Sequence, residues 1–165
     1  MLNASDQPLL DALLDSWDRN NTILLNLLRA LPEDGLGTRA MEKSPSIAEM
    51  FTHIHYVPLI FVYEDAAEFA TEPPKEEWAA ERDPGRIAEM LNESATTVRD
   101  AVKNRTESGR DMNLHYDHPI LLLQHMLWHE GYHHGQIKLA LKMAGRPIPD
   151  KEAGPVTWGV WMRKK

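Results

Sequence analysis

The stretch HEGYHHGQ, at residues 129–136, holds two histidines four positions apart with a glutamate directly after the first. On an α-helix, residues four apart share a face and lie about 6 Å apart along the axis, so His129 and His133 can bind one metal ion. The same residues match HExxH, the pattern of zinc peptidases, in which the glutamate acts as general base. Under that interpretation Glu130 would be the base, and Glu152 is a candidate third ligand.

His125 forms an equivalent pair with His129, and the four-residue spacing alone does not choose between the two pairs. His125 and His133 cannot share one small ion on a straight helix, because eight residues rise about 12 Å. An isolated pair of histidines is more often a packing or surface feature than a metal site. A metal site therefore needs support from another part of the chain.

Candidates for that support lie in residues 52–55, Thr-His-Ile-His, within an apolar segment where a polar side chain needs a partner. Because His53 and His55 are two positions apart, they point to nearly opposite faces of a helix, and we expect only one of them to point inward. His115 and His118 flank the start of the last apolar segment. We expect them to serve in a loop and as a helix cap.

Four segments carry apolar residues at spacings of three and four, which predicts amphipathic helices. They run from about Pro8 to Ala30, from Ser44 or Ser46 to about Phe69, from Pro84 to about Thr106, and from about Pro119 to Met143. Ser46 and Glu49 have capping-box spacing, and Pro58 predicts a kink in the second helix. No segment has a β-strand pattern.

Four such helices with short connections predict an all-α fold, an antiparallel four-helix bundle that forms a single domain over residues 1–165. The aromatic tail, residues 157–162, is expected to pack on the bundle or at a subunit contact. Arg163, Lys164 and Lys165 are the only basic cluster and are expected to form a frayed, solvated tail.

The composition narrows the possible functions. The net charge is −7, and a nucleic-acid-binding surface needs clustered Lys and Arg, so we expect no nucleic-acid partner. The chain contains no cysteine, which excludes disulfides and thiolate ligands. No apolar run approaches the roughly 20 residues that span a bilayer, and the first residues do not resemble a signal peptide. We therefore expect a cytoplasmic protein with no membrane partner.

Two segments resemble motifs of the DinB/YfiT-like superfamily, which is unrelated to the translesion DNA polymerase. SIAEMFTHI, residues 46–54, is similar to its second-helix motif, a serine-led helix start with a histidine seven residues on. HEGYHHGQI, residues 129–137, is similar to its last-helix motif, a histidine pair followed by Arg-Gly-Gln. His134 stands where the family usually has arginine, so a role of that arginine is not carried over.

The resemblance implies a four-helix bundle, often dimeric, that holds a divalent metal ion with His53, His129 and His133. It places His125 outside the ligand set, and we expect this side chain to be buried or to support the ligands from outside, donating to a carbonyl or a carboxylate. Three imidazoles suit zinc or nickel, and iron and copper also accept them. Glu130 could be a base near the metal, but we expect a solvated side chain.

The function implied is that of a metal-dependent enzyme acting on a small molecule, such as a thiol-dependent S-transferase or a hydrolase. The partners would be a small-molecule substrate, a low-molecular-weight thiol and a second copy of the chain. One alternative is a non-catalytic metal-binding or structural bundle in a stress response. The HExxH peptidase is the other alternative. The sequence assigns no catalytic residue.

Overall fold

The computed structural model describes residues 6–164, and over this range the chain is helical without a β-strand. The residues on which the expectation about a signal peptide rests lie almost entirely outside the described residues. Within residues 6–164 there are six α-helices: α1 Gln7–Arg29, α2 Ile47–Asp65, α3 Pro84–Ser108, α4 Pro119–Met143, α5 Asp150–Val156 and α6 Trp158–Trp161. The predicted all-α class is thus confirmed for the described part of the chain.

Local signals in the sequence set the starts of three long helices. The Ser46 hydroxyl accepts from the Glu49 backbone N–H at 3.3 Å while the Glu49 carboxylate accepts from the Ser46 N–H at 2.6 Å, so the capping box predicted for α2 is confirmed. Asp83 caps α3 and His118 caps α4, and each precedes a proline in the first turn. The predicted capping role of His118 is confirmed.

The second helix ends earlier than predicted. α2 stops at Asp65, because Ala66 leaves the helical region with φ −150° and ψ 57°. The sequence pattern had continued to Phe69, but Ala67–Phe69 forms a separate 3₁₀ turn. Pro58 lies inside α2, and the helix continues on both sides of it.

Two apolar clusters each draw side chains from all four long helices. One holds Leu14 of α1, Val62 of α2, Val98 of α3 and Leu123 of α4. The other combines the opposite halves of the same helices, with members such as Leu27, Ile54, Ile87 and Ile137. The clusters therefore show that α1 and α4 run in one direction and that α2 and α3 run in the other.

The shared direction of α2 and α3 corrects the prediction of short connections throughout. Two neighbouring helices that run in the same direction need a connection long enough to return to the starting end. This connection, residues 66–83, includes the 3₁₀ turn and an irregular stretch with a turn at Glu77 and Trp78. We call it the crossover segment.

The C-terminal residues pack against α1, as predicted for the aromatic tail. The Asn26 side chain donates to the Val156 carbonyl at 2.9 Å, and Arg19 donates to the Val160 carbonyl at 2.6 Å. Arg19 also donates to the Arg163 carbonyl at 3.0 Å, so the expectation of a frayed tail is wrong at Arg163. Lys165 lies outside the described residues.

Among the described helices, none is both long and apolar enough to cross a membrane.

Candidate metal centre

Three imidazoles from two helices meet in the half of the molecule where α2 begins. His53 lies in the second turn of α2, and His129 and His133 lie one turn apart in the middle of α4. Their candidate ligand nitrogens all fall within 4.8 Å of one another. The Nε2 atoms of His53 and His129 are 3.1 Å apart, and the His133 ring centroid lies 4.6 Å from each of the other two. The geometry thus brings together the three residues that the resemblance implied.

The crossover segment holds His53 from the other side. The Nδ1 atom of His53 lies 2.8 Å from the Glu77 carboxylate, and the indole of Trp78 stacks on the His53 ring at 3.9 Å with an interplanar angle of 6°. A carboxylate oxygen only accepts hydrogen bonds, so Nδ1 of a neutral His53 carries the proton. The lone pair on Nε2 is then directed at His129. This is how histidine ligands of metals are commonly oriented.

All three rings favour the neutral form that binds metal ions. Each side chain is at most about a tenth exposed. Burial, reinforced by His133 and His53, lowers the pKa of His129 to about 3. Burial and the neighbouring His53 lower the pKa of His133 to about 4. Burial also lowers the pKa of His53, against the raising effect of Glu77. The lone pairs of His129 and His133 are therefore available well below neutral pH.

The residues present fit a divalent cation. With metal–nitrogen distances of about 2.05 Å, tetrahedral ligands lie about 3.3 Å apart, close to the observed separation of the two Nε2 atoms. At this distance one neutral ring can donate its Nε2–H to the other, and where both rings carry the proton on Nδ1 a cation between them binds both lone pairs. The Nδ1 atoms of all three histidines are buried without a well-oriented hydrogen bond among the described residues, although the Glu77 carboxylate lies 2.8 Å from that of His53. The nitrogen donor set suits zinc, nickel, iron or copper.

His55 is as buried as His53 but serves another contact. Its Nδ1 donates to the Met90 carbonyl on α3 at 2.6 Å, and burial lowers its pKa. The expectation that only one of the two histidines points inward is therefore wrong, because α2 packs against α4 on one face and against α3 on another. The choice of His53 as the residue beside His129 agrees with the structure.

The remaining histidines lie outside the group formed by His53, His129 and His133. His125 is half-buried, but its Nδ1 contacts the Tyr116 hydroxyl at 2.8 Å and not the carbonyl or carboxylate expected. His115, in the loop before α4, contacts the buried Asp65 carboxylate at 2.8 Å, so its predicted loop role is confirmed. His134 is half-buried, and burial lowers its pKa.

Glu130 is not solvated, which corrects our preference. Its side chain is only 3% exposed and accepts a hydrogen bond from Asn20 on α1. Burial raises the pKa of this carboxyl to about 8, against the lowering effect of Asn20. Burial therefore favours the protonated acid at neutral pH. A protonated carboxyl is a poor general base, which removes support from the peptidase interpretation.

Glu152, the ligand that a peptidase would need, is exposed and lies on α5. The sequence had placed it in an irregular segment, but Asp150–Val156 is helical. It is not part of the group of residues that could share an ion among those described. The third nitrogen beside the HExxH pair comes from His53.

A cleft of about 380 Å³ opens beside the imidazoles. His53 and His133 form part of its wall, and Trp78 and Tyr132 are its aromatic residues. An ion held by three protein ligands keeps a further position for a substrate or water. The cleft gives a small molecule access to the group of nitrogens.

The sequence analysis missed Glu77 and Trp78. Both lie in the sequence Glu-Glu-Trp, in a stretch without periodicity that gives no signal of what it contacts. An aromatic residue beside acidic residues in a long connection was the only available hint.

A protein-family model described as DinB family matches residues 1–155. No curated protein and no solved structure matches the chain significantly.

Proposed function

The chain belongs to the DinB family, and from this and from the three facing imidazoles we propose that it is a metal-dependent enzyme with His53, His129 and His133 as the ligands of zinc or nickel. Its substrate would be a small molecule, and the reaction a thiol-dependent S-transfer or a hydrolysis. The observation that carries the proposal is the convergence of three neutral imidazoles whose nitrogens lie within 4.8 Å of one another.

A divalent ion at this position would supply Lewis acidity and would lower the pKa of a thiol or water ligand. The chain's own residues do the rest. The Glu77 carboxylate, 2.8 Å from Nδ1, favours the His53 tautomer that carries its proton there, and Trp78 stacks on the ring and covers it on that side. Burial keeps the His129 and His133 rings unprotonated, so they bind a cation without first losing protons.

The cleft favours an enzyme over a non-catalytic metal-binding bundle. A purely structural site is closed by four protein ligands and needs no access for a substrate. Here three candidate ligands are assembled, and two of them line an opening. The peptidase alternative is weaker, because zinc peptidases hold an extended peptide against a strand edge. The described residues provide only an isolated bridge between Arg39 and Ser46.

The helix directions support assignment to the four-helix bundle of the DinB/YfiT-like type.

We further propose a homodimer through α4. Its outer face exposes the large apolar side chains of Leu121, Trp128 and Met143, which lie outside the lining of the cleft. Exposed apolar side chains along one helix face favour contact with a partner such as a second copy of the chain. Trp128→Lys should convert a dimer into a monomer in sedimentation; a monomeric parent protein would refute this part.

The metal content of protein purified without an affinity tag tests the metal site. The parent protein should carry about one ion per chain. His53→Ala and His129→Ala should both lose tight binding, because two imidazoles chelate far more weakly than three. His55→Ala is the matched control, since His55 is equally buried but contacts Met90, and it should keep the ion.

Two outcomes would contradict the assignment. Retention of the ion by His53→Ala with loss in His55→Ala would mean that the wrong face of α2 was chosen. Loss of the ion in Glu152→Ala would favour the peptidase interpretation. A change in the visible spectrum of cobalt-loaded protein on addition of a small thiol would support the transferase over the hydrolase.

A further inference from the structure

The cleft beside the imidazoles has an unusual lining for a site expected to take a polar thiol. Its wall includes the apolar side chains of Met41, Pro45, Met50 and Leu139. Among the described residues that line it, none is an aspartate, glutamate, lysine or arginine. The hydrogen-bonding side chains in the wall, apart from the two imidazoles and the two aromatic residues, are those of Ser44 and Gln136.

The aromatic residues extend this apolar character to the mouth of the cleft. Tyr132 is 54% exposed and Trp78 is 36% exposed, so both offer ring surface to an entering molecule. Flat rings at this position bind aromatic or branched apolar groups through surface burial and stacking. With a volume of about 380 Å³, the cleft falls within the range of small-molecule sites.

The positive charge of a bound ion acts on the atom next to it. The lining farther from the imidazoles disfavours an anion. The chain carries a net charge of −7. Nearer the site, Glu77 holds its carboxylate 2.8 Å from His53, beside the cleft. A carboxylate that entered the cleft would lose water without gaining a lysine or arginine partner from the lining residues described, and this costs free energy. An uncharged apolar group meets no such penalty.

We infer that the cleft selects an uncharged, largely apolar organic molecule, whose polar end faces His53 and His133 and whose body packs against Met41, Met50 and Leu139. The inference rests on the proposed function, since the imidazoles define which end of the molecule reacts. It goes further by assigning the substrate's chemical class. An anionic low-molecular-weight thiol would bind only through its sulfur and would gain little from the cleft.

Two thiols of the same shape test this selection. Benzyl mercaptan is uncharged, and 4-(mercaptomethyl)benzoate adds a carboxylate at the far end of the ring. Both are titrated into cobalt-loaded protein and followed by the visible spectrum. Both are also titrated into metal-free protein by calorimetry. The neutral thiol should bind at least about tenfold more tightly in each case, equivalent to about 1.4 kcal/mol.

A charge placed at the rim provides the matched variant. Met41 lines the cleft and is 67% exposed, whereas Leu9 on α1 is 64% exposed and lies away from it. Met41→Lys should tighten binding of the benzoate about threefold to fivefold, the size of an exposed ion pair. Leu9→Lys changes the net charge equally and should leave both affinities unchanged. A gain with both lysines would indicate only a general charge effect and would overturn the inference.

The titrations of cobalt-loaded and of metal-free protein test the metal site and the selectivity of the cleft separately. If cobalt is taken up and its spectrum responds to both thiols with equal affinity, the selection is wrong and the metal site stands. If cobalt is not retained but metal-free protein still prefers benzyl mercaptan, the metal site is wrong and the apolar cleft stands. Equal or absent binding of both thiols to metal-free protein, together with no preference in loaded protein, would overturn the selection.

Discussion

Replacing Glu77 by glutamine tests whether the crossover segment prepares His53 for metal binding. The carboxylate lies 2.8 Å from Nδ1 of His53 and holds the proton there, which leaves the Nε2 lone pair for a cation. Glutamine has nearly the same shape but lacks the charge, and its amide can present either a donor or an acceptor to Nδ1. His53→Ala removes the ligand itself, whereas this change removes only its orientation.

The expected loss of zinc affinity in Glu77→Gln follows from the geometry. Groups that orient a histidine ligand typically contribute 10–100-fold in metal affinity. The Glu77 side chain is 41% exposed, so solvent screens its charge and the lower end of that range applies. We expect about a tenfold weaker affinity for zinc, or about 1.4 kcal/mol. The metal-free protein should unfold at nearly the same temperature as the parent, because an exposed contact contributes little to stability.

Competition with a chromophoric chelator at pH 7 measures the zinc affinity of each variant. Glu76→Gln is the control, because it removes the same charge one residue away at an exposed position. If both variants bind zinc equally, the effect is one of net charge and the orienting role of Glu77 is refuted. Equal affinity of Glu77→Gln and the parent protein would refute it as well.

Two further predictions concern buried or paired carboxyls and are measured by thermal unfolding against pH. Burial raises the pKa of Glu130 to about 8, so the folded state of metal-free protein should lose stability as pH rises from the ordinary value of 4.5 to about 8; Glu130→Gln should abolish that loss. Arg105 lowers the pKa of Glu68, so its stabilisation is present above 4.5 and disappears as pH falls through the lowered value. Glu68→Gln should therefore be less stable at pH 7, and its unfolding temperature should fall less as the pH is lowered. The same fall at acid pH in the variant and in the parent protein would contradict the contact between Glu68 and Arg105.

The helix boundaries were predictable where the signals are local. The capping box of Ser46 and Glu49 and the proline at position 119 act within one turn, so the sequence alone specifies where α2 and α4 start. Helix directions are not local. Leu14 and Leu123 share one apolar cluster because of how four helices pack, and no spacing within one helix predicts that.

The site was predicted only in part, for a similar reason. Periodicity placed His129 and His133 on one face, but it did not choose between His53 and His55, and the family resemblance made that choice. Glu130 was misjudged because charged side chains are normally exposed. Its burial depends on Asn20 of α1, more than a hundred residues away in the chain.

The crossover segment links the topology to the chemistry. Because α2 and α3 run in the same direction, the chain must return along α2 before α3 can begin, and this path passes the second turn of α2. There the Thr52 hydroxyl donates to the Ala79 carbonyl at 2.6 Å, which fixes the segment beside His53. Glu77 and Trp78, two and one residues before that anchor, then contact the imidazole from the side that α4 leaves open.

A short turn between α2 and α3 would make those helices antiparallel and would remove both contacts. His53 would keep its place on α2, but it would lose the carboxylate that fixes its tautomer and the indole that covers its ring. The same return path also places Trp78 in the cleft wall, so the segment that orients the ligand also forms part of the surface that a substrate meets. The crossover segment therefore supplies both the carboxylate beside His53 and part of the wall of the cleft.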